Sequence, residues 1–433
     1  MSGDKQLFGI FSPLLGEKQD FPTILLDKTV QIENENIIRK YGEVRRRQMR
    51  DPDMLDGSDD KYQTPDTNPI LHYHTFTKRT TGTQYVLAFT KAHIYLWNTA
   101  TKVWDTKFVC SADCTEWDTV SYNDKVIATN NVDMVLVWDT TGYFIPLQNT
   151  TAITITAATK ADPCAVTAGT HGLTTGDRVY IKSVVGMTEI NNLQFVVTVV
   201  DVDNFTLGVD SSAYTTYTSG GTVVEFEGIE YSAATFLTKA KYVTTFENYL
   251  ILGYTTEAGA AHPQRERWSD IGDETDWSSG DAGSSETEGS DFIKGFKIYN
   301  GQLLIFKEIS IIRQWLVATS DVWNWVVLPG GIGLLSNHSI VKTPDGRIYF
   351  LASDMTFREM ETGEISQDID PVVKLIEPSS DYLVYGVYID STGEIWWSIP
   401  YDNALNNKVL TYKGGSWGEL DLAIPAIGDY KEA

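Results

Sequence analysis

Two pairs of residues in this chain have the types and spacing to do chemistry. Cys164 and His171 offer a thiol and an imidazole, the parts of a nucleophile and its base. His72 and His74 stand at i and i+2, so on a strand both rings would lie on one face and could share a metal ion. Neither pair has the third partner its chemistry needs. No further ligand follows the two histidines at metal-site spacing, and Cys164 lies in a threonine-rich stretch where a lone cysteine packs as a small apolar side chain. Cys110, Cys114 and Cys164 are an odd set with no CxxC, which argues against a disulfide framework or a structural zinc. The chain holds no GxSxG, HExxH, Walker A loop or GxGxxG in a strand–turn–helix setting. Among 58 acidic residues, any carboxylate pair chosen for glycoside hydrolysis would be arbitrary. The acidic turn Asp51-Pro52-Asp53 to Asp59-Asp60 misses the EF-hand pattern, because Leu55 occupies a ligand position and Gly57 is out of step. The residues therefore predict no enzyme, no cofactor and no metal.

One charged cluster remains. Residues 39–50 hold Arg39, Lys40, Arg45, Arg46, Arg47 and Arg50 in a chain of formal charge −24. A basic strand pair facing an acidic neighbour is the favoured reading, with docking on another protein as its use; a solvated charge run is the alternative. The overall charge excludes tight nucleic-acid binding, which draws on lysine and arginine replacing counterions. An acidic wall would instead let DNA pass without sticking, or would simply keep an abundant protein in solution. No stretch of about 18 apolar residues is present and the amino terminus lacks a basic-then-apolar pattern, so neither a membrane span nor a signal peptide is expected.

The elements that would position these groups repeat. Six times a polar turn leads into a short apolar run: Gly82 before Tyr85-Val86-Leu87, Asp124 before Val126-Ile127, and Asn248 before Leu250-Ile251-Leu252. Gly301 before Leu303-Leu304-Ile305, Gly346 before Ile348-Tyr349-Phe350, and Gly393 before Ile395-Trp396-Trp397 complete the series. With anchors at 82, 124, 249, 301, 346 and 393, the steps are 42, 125, 52, 45 and 47 residues. A second strand, such as Ile94–Trp97 or Ile311–Trp315, follows each anchor and ends 14 to 19 residues beyond it. Periods of about 40–50 residues with several strands per unit are the mark of propeller blades. Trp104, Phe144, Trp277, Trp323, Trp325 and Trp417 recur after these strands, and packing between blades explains them better than a sugar site.

The long step contains a different unit. Residues 150–224 are rich in threonine, valine and glycine, with short strands around Val166, Val179-Tyr180-Ile181, Phe195–Val200 and Phe205. They predict a small β-barrel inserted after the second blade and emerging on one face of the ring. Residues 278–291 are polar and acidic and read as a loop between the third and fourth blades. The carboxylates of Asp270, Asp273 and Asp276 suit turns better than a cation site. Residues 1–62 do not look like a blade, although Thr23-Ile24-Leu25-Leu26 is strand-like. The expected architecture is all-β: a docking segment at 1–62, blades one and two at 63–149, the inserted barrel at 150–224, and blades three to six at 225–433.

These parts together resemble the β-propeller tail proteins of short-tailed bacteriophages, variously called nozzle, tail tubular B-type or tail hub proteins. The resemblance rests on Gly42-Glu43-Val44-Arg45-Arg46-Arg47 before the first blade, and on the stretch from Arg267-Trp268-Ser269-Asp270 to Asp276-Trp277, where Glu274 replaces a proline. It rests further on Phe292-Ile293-Lys294-Gly295-Phe296 through Trp315. The insert, with Thr170-His171-Gly172-Leu173, Asp177-Arg178-Val179 and Gly186–Asn191, is similar to a module of phage structural proteins. That module is distantly similar to the first catalytic cysteine half-domain of ubiquitin-activating enzymes. The resemblance implies a virion tail protein that forms a homo-hexamer below a portal-adaptor, carries fibre or needle proteins, and continues a lumen through which DNA passes without specific binding. It implies no catalysis and no cofactor. A lectin-like propeller binding a host glycan is the alternative, favoured if the tryptophans are exposed. A WD-repeat scaffold is suggested by Trp104-Asp105 and Trp138-Asp139 but lacks the Gly-His of each repeat.

Overall fold

The computed structural model describes residues 37–40, 43–46, 64–147, 152–191, 193–226, 228–317 and 321–420. Apart from one short helix, Asp370–Val373, and a few single 3-10 turns, these residues form antiparallel β-structure. Six sheets follow one another along the chain as meanders in a propeller-like succession. They run from Ile70–Thr77 to Val103–Val109, Asp118–Tyr122 to Ile145–Pro146, Ile229–Ser232 to Gly283–Glu286, Ile293–Tyr299 to Trp323–Val327, Val341–Lys342 to Gly363–Glu364, and Tyr385–Ile389 to Ser416–Leu420. The third has five strands and the others four.

The repeated polar turns are the hairpins that join the first two long strands of each sheet. Type I′ hairpins need two consecutive residues with positive φ, which suits Asn, Asp and Gly. Asn123 and Asp124 take φ of 48° and 57°, and Asn300 and Gly301 take 49° and 72°. Glu247 and Asn248 do the same at 48° and 65°, with a residue type the pattern does not favour.

Sheets of four strands have two faces to bury, and here successive sheets bury facing surfaces against one another. Phe89, Trp117, Trp138 and Phe144 lie between the first and second sheets. Ile127, Leu250 and Trp277 lie between the second and third, and Trp268, Phe296 and Trp323 between the third and fourth. Phe306 and Phe350 join the fourth to the fifth. Phe357, Trp397 and Trp417 fill the last gap, with ring centroids 4.5 Å apart for Phe357–Trp397 and 5.7 Å for Trp397–Trp417. Trp397 donates its indole N–H to Ser339 O at 2.9 Å and Trp277 to Glu274 O at 2.8 Å, whereas the buried indole N–H of Trp323 has no partner among the described residues. Trp325 differs from the expectation, because it is exposed on an outer strand.

The insert is built on other lines. Two four-stranded sheets face each other, and the segments 153–158 and 193–199 each pass from one sheet to the other. The resulting barrel encloses its own core of Cys164, Val166, Val179, Ile181, Met187, Ile190, Phe205 and Val223. Arg178 ties it to the first two sheets. Its guanidinium contacts Asp133 Oδ1 at 3.2 Å, donates to Val109 O at 2.5 Å, and lies over the rings of Phe108 and Phe226.

Residues 278–291 depart from the loop expected of them. Gly283–Glu286 is the outer strand of the third sheet, paired with Ala260–Trp268. It carries no apolar alternation, so nothing in its composition reads as a strand. It is held by Glu286 on Arg265, and by Gly283 lying so close to the Trp268 indole that a Cβ there would sit 2.8 Å from it. The aspartates of 270–276 cap turns as expected: Asp273 accepts from Thr275 N, and Asp276 from Ser278 N and Ser279 N. Glu274 does more. Buried, it pairs with Lys125 and accepts from Asn123, clamping the third sheet to the second.

Candidate functional site

The predicted docking residues fall on a β-hairpin. Ile37–Lys40 pairs with Glu43–Arg46 in antiparallel register, which sets Arg39 opposite Val44, Lys40 opposite Glu43, Arg45 opposite Ile38, and Arg46 opposite Ile37. Arg47 and Arg50 lie outside the described residues.

A second locus is formed where the sheets meet. The inner strands of all six converge on one cavity of about 430 Å³, with His72 from the first, Asp118 and Thr119 from the second, and Val243–Thr245 from the third. Lys297 comes from the fourth, Lys342 with the neighbouring Asn337 and His338 from the fifth, and Tyr385 from the sixth. The lining is mixed: polar groups of His72, Asp118, Thr119, Lys297 and Tyr385 stand among the apolar side chains of Val120, Val243, Phe296, Ile298 and Ile340.

The two histidines of the first strand explain their spacing here. His72 Nε2 shares a hydrogen bond with Thr119 Oγ1 at 2.7 Å, and Thr119 Oγ1 shares another with His74 Nδ1 at 2.8 Å. His74 Nε2 reaches Ser121 Oγ at 2.8 Å. The i, i+2 pattern is thus a polar zipper between the first and second sheets. Among the described residues no group of three His, Cys, Asp or Glu side chains is placed to hold a metal ion.

His72 also links the first sheet to the last. Its Nδ1 is 3.1 Å from the Tyr385 hydroxyl, joining the first sheet to the sixth across 313 residues. The His338 ring stacks on both, 4.8 Å from His72 and 5.0 Å from Tyr385. His338 Nε2 then reaches Trp117 O at 2.7 Å, so the fifth sheet touches the second across the axis.

Burial sets the protonation of the site. It holds His72, His74 and His338 below the usual imidazole range, His74 at about 4. It pushes Asp118 up to about 7, against the hydrogen bond that the carboxylate accepts from Val243 N at 2.9 Å. It lowers Lys297, whose charge is opposed by that of Asp118. His72 and His74, each with both ring nitrogens engaged, and Asp118, whose carboxyl accepts a backbone N–H, make a structural network.

Cys164 and His171 are likewise occupied. The thiol donates to Thr159 O at 3.4 Å inside the barrel core. His171 Nε2 lies 3.0 Å from Asp201 O, and its Nδ1 accepts from Leu173 N. The axial residues other than His72 are invisible to sequence reasoning, because an Asp, a Lys and a Tyr some 90 to 270 residues apart carry no shared motif; their position on the first strand of each repeat is the only signal.

Among the described residues no helix is long and apolar enough to cross a membrane. The Ubiquitin-activating enzyme E1 FCCH domain model matches residues 164–227, which lie mostly within the inserted barrel. No curated protein matches the chain. Among solved structures, KlHsv2 with loop 6CD replaced by a Gly-Ser linker superposes at a TM-score of 0.32 and 9% identity, covering 81% of this chain and 97% of the other. Phage phi92 endosialidase superposes at 0.30 and 14% identity, covering 83% of this chain and 58% of the endosialidase. Both scores are too low to speak to activity. What stands is a chain of propeller-like sheets carrying an FCCH-like insert.

Proposed function

We propose that this protein is a structural component of a phage tail: a six-bladed propeller, closed by the His72–Tyr385 contact, that assembles as a hexameric nozzle beneath a portal-adaptor. The observation that carries the reading is the combination of parts. A basic hairpin precedes the first sheet, and an FCCH-like barrel is inserted between the second and third. In this reading Arg39, Lys40, Arg45 and Arg46 dock on the adaptor or a neighbouring subunit, fibre or needle proteins attach to barrel and blade loops, and the protein is not an enzyme. The His338–Trp117 bridge means that DNA does not run along the propeller axis. The lumen is instead the space enclosed by six copies, and the charge of −24 suits its wall because carboxylates repel the phosphate backbone.

The burial of Trp117, Trp138, Trp268, Trp277, Trp323, Trp397 and Trp417 weighs against the lectin alternative, which needs exposed rings. Native mass spectrometry over a concentration series, with and without candidate adaptor rings, tests the assembly. A six-fold mass, free or on the ring, is the expected result. A strict monomer that ignores the adaptor would refute it.

A further inference from the structure

The outer strand of the fourth sheet is unlike the other outer strands. Trp323–Val327 pairs on one side with Ile311–Leu316 and, among the described residues, with nothing on the other. Its four residues after Trp323 are all exposed, Trp325 at 39%, Val326 at 40% and Val327 at 36%, and none is charged. Leu316 and Ile309 extend the apolar surface on the same sheet. Elsewhere the outer edges are guarded. The first sheet's carries Asp105 and Lys107, the third's carries Glu286 clamped by Arg265, and the fifth's is only Gly363–Glu364. The second sheet's outer region meets the barrel through Gln194, which donates to Phe144 O.

An uncharged, apolar edge strand in water is an invitation to pair, which natural sheets ordinarily block with charge, proline or brevity. The direction of its free groups follows from its paired ones. Leu328 N donates inward to Ile311 O at 2.8 Å, and alternate residues of an antiparallel strand point the same way. The N–H groups of Trp325 and Val327 therefore point outward; that of Trp325 is capped by the exposed Asn324 Oδ1 at 2.9 Å, which an incoming strand must displace.

The chain supplies a matching segment. Thr23-Ile24-Leu25-Leu26 is uncharged, strand-forming, and as long as the exposed stretch Asn324–Val327. Asp20 and Asp27 flank it, and Arg313, exposed, lies opposite Val326 at the edge. Ten residues, 27–36, separate this segment from the hairpin at Ile37, an extended reach of about 35 Å. We propose that Trp323–Val327 is a docking edge for the segment Thr23–Leu26 of a second copy of this chain, added as a further strand. Backbone hydrogen bonds supply the attraction and the alternating apolar side chains the register. On a chain of charge −24, a neutral strip is also where a like-charged copy is repelled least. The inference deepens the assembly reading and rests on it.

Two full-length single-cysteine additions test it, Leu25→Cys and Val327→Cys, each checked for a native melting profile and mixed under mild oxidation. A disulfide-linked dimer of the two variants, absent from either variant alone and from the wild type, is the expected result. Trp325→Lys, which adds charge to the edge without touching a buried group, should reduce that product to background when combined with Val327→Cys. A double variant that links only within one chain, or a mixture that does not link, overturns the proposal. Native mass separates the two readings: a six-fold mass without the cross-link removes the docking edge and leaves the nozzle, whereas a cross-link in an assembly that is not six-fold does the reverse.

Discussion

The barrel and the propeller-like series of six sheets (a ring in the reading proposed above) are both antiparallel β-structure, but they keep their apolar cores in different places. The barrel encloses Phe205, Ile181 and their neighbours within residues 152–226, so its core belongs to one stretch of chain. Each core of the ring lies between two sheets, shared for instance by Trp268 of the third and Phe296 of the fourth. A core shared in this way couples its owners. The barrel can unfold and leave the ring intact, but a sheet cannot leave without exposing a face on each side of it.

The comparison can be broken most directly in the two cores. Trp397→Ala removes a ring wedged between Phe357 and Trp417 and should cost about 3–5 kcal/mol, as for large core truncations generally. Calorimetry should show the ring's transition fall while the barrel's stays. Phe205→Ala should cost the barrel a similar amount of about 3–5 kcal/mol and leave the ring's transition in place. A single transition that moves in both variants would show that the two are one cooperative unit.

The joint between them is the next largest effect. Arg178→Ala removes an ion pair to buried Asp133 and a bond to Val109 O, and should cost about 2 kcal/mol of docking between barrel and ring. Proteolysis near the boundaries should accelerate, while the melting temperatures of the separate units change little.

Protonation sharpens the contrast, because the buried shifted acids and imidazoles lie in the ring. Glu266, buried and in contact only with Gln314 Nε2 at 3.2 Å, is pushed up to about 8 by burial. A raised carboxyl binds its proton more tightly in the folded state. Its contribution is full below the ordinary carboxyl pKa of 4.5 and is lost as pH rises through about 8. Glu266→Gln should therefore raise the ring's melting temperature at pH 8.5 relative to the unmodified protein and change it little at pH 4. His74, lowered to about 4, acts at the other end. Its contribution is full above the ordinary imidazole value of 6.5 and is lost as pH falls through about 4, so acid should loosen the ring before the barrel.

The smallest effect tests the hairpins. Gly301 holds φ of 72° with open space around its Cα, so Gly301→Ala meets no clash and should cost about 1 kcal/mol of backbone strain. Equilibrium denaturation reads it.

Much of the ring was legible because its signals are local. The anchors at Asn123-Asp124 and Asn300-Gly301 announce turns through the φ values those residues accept, and Ile311–Trp315 announces its strand through residue type. The outer strand Gly283–Glu286 was not legible, since what makes it a strand is the Trp268 face and Arg265 beside it. The pairing of His72 and His74 was visible as a pattern, but its meaning came from Thr119 and Ser121 on the next sheet. The strand pair carrying Arg39, Lys40, Arg45 and Arg46 was anticipated, whereas the cavity lined by all six sheets was not.

By itself the amino-acid order determined the number of sheets, the turns between their strands, and the separate composition of the insert, because these follow from preferences acting within a dozen or so residues. Tertiary structure alone decided how the first and last sheets meet and what lines the cavity between the sheets. Tyr385 meets His72, and His338 reaches Trp117, only after every intervening sheet has taken its place. The protonation of Asp118 and Glu266 belongs to the same class, since it depends on how much water the assembled sheets exclude.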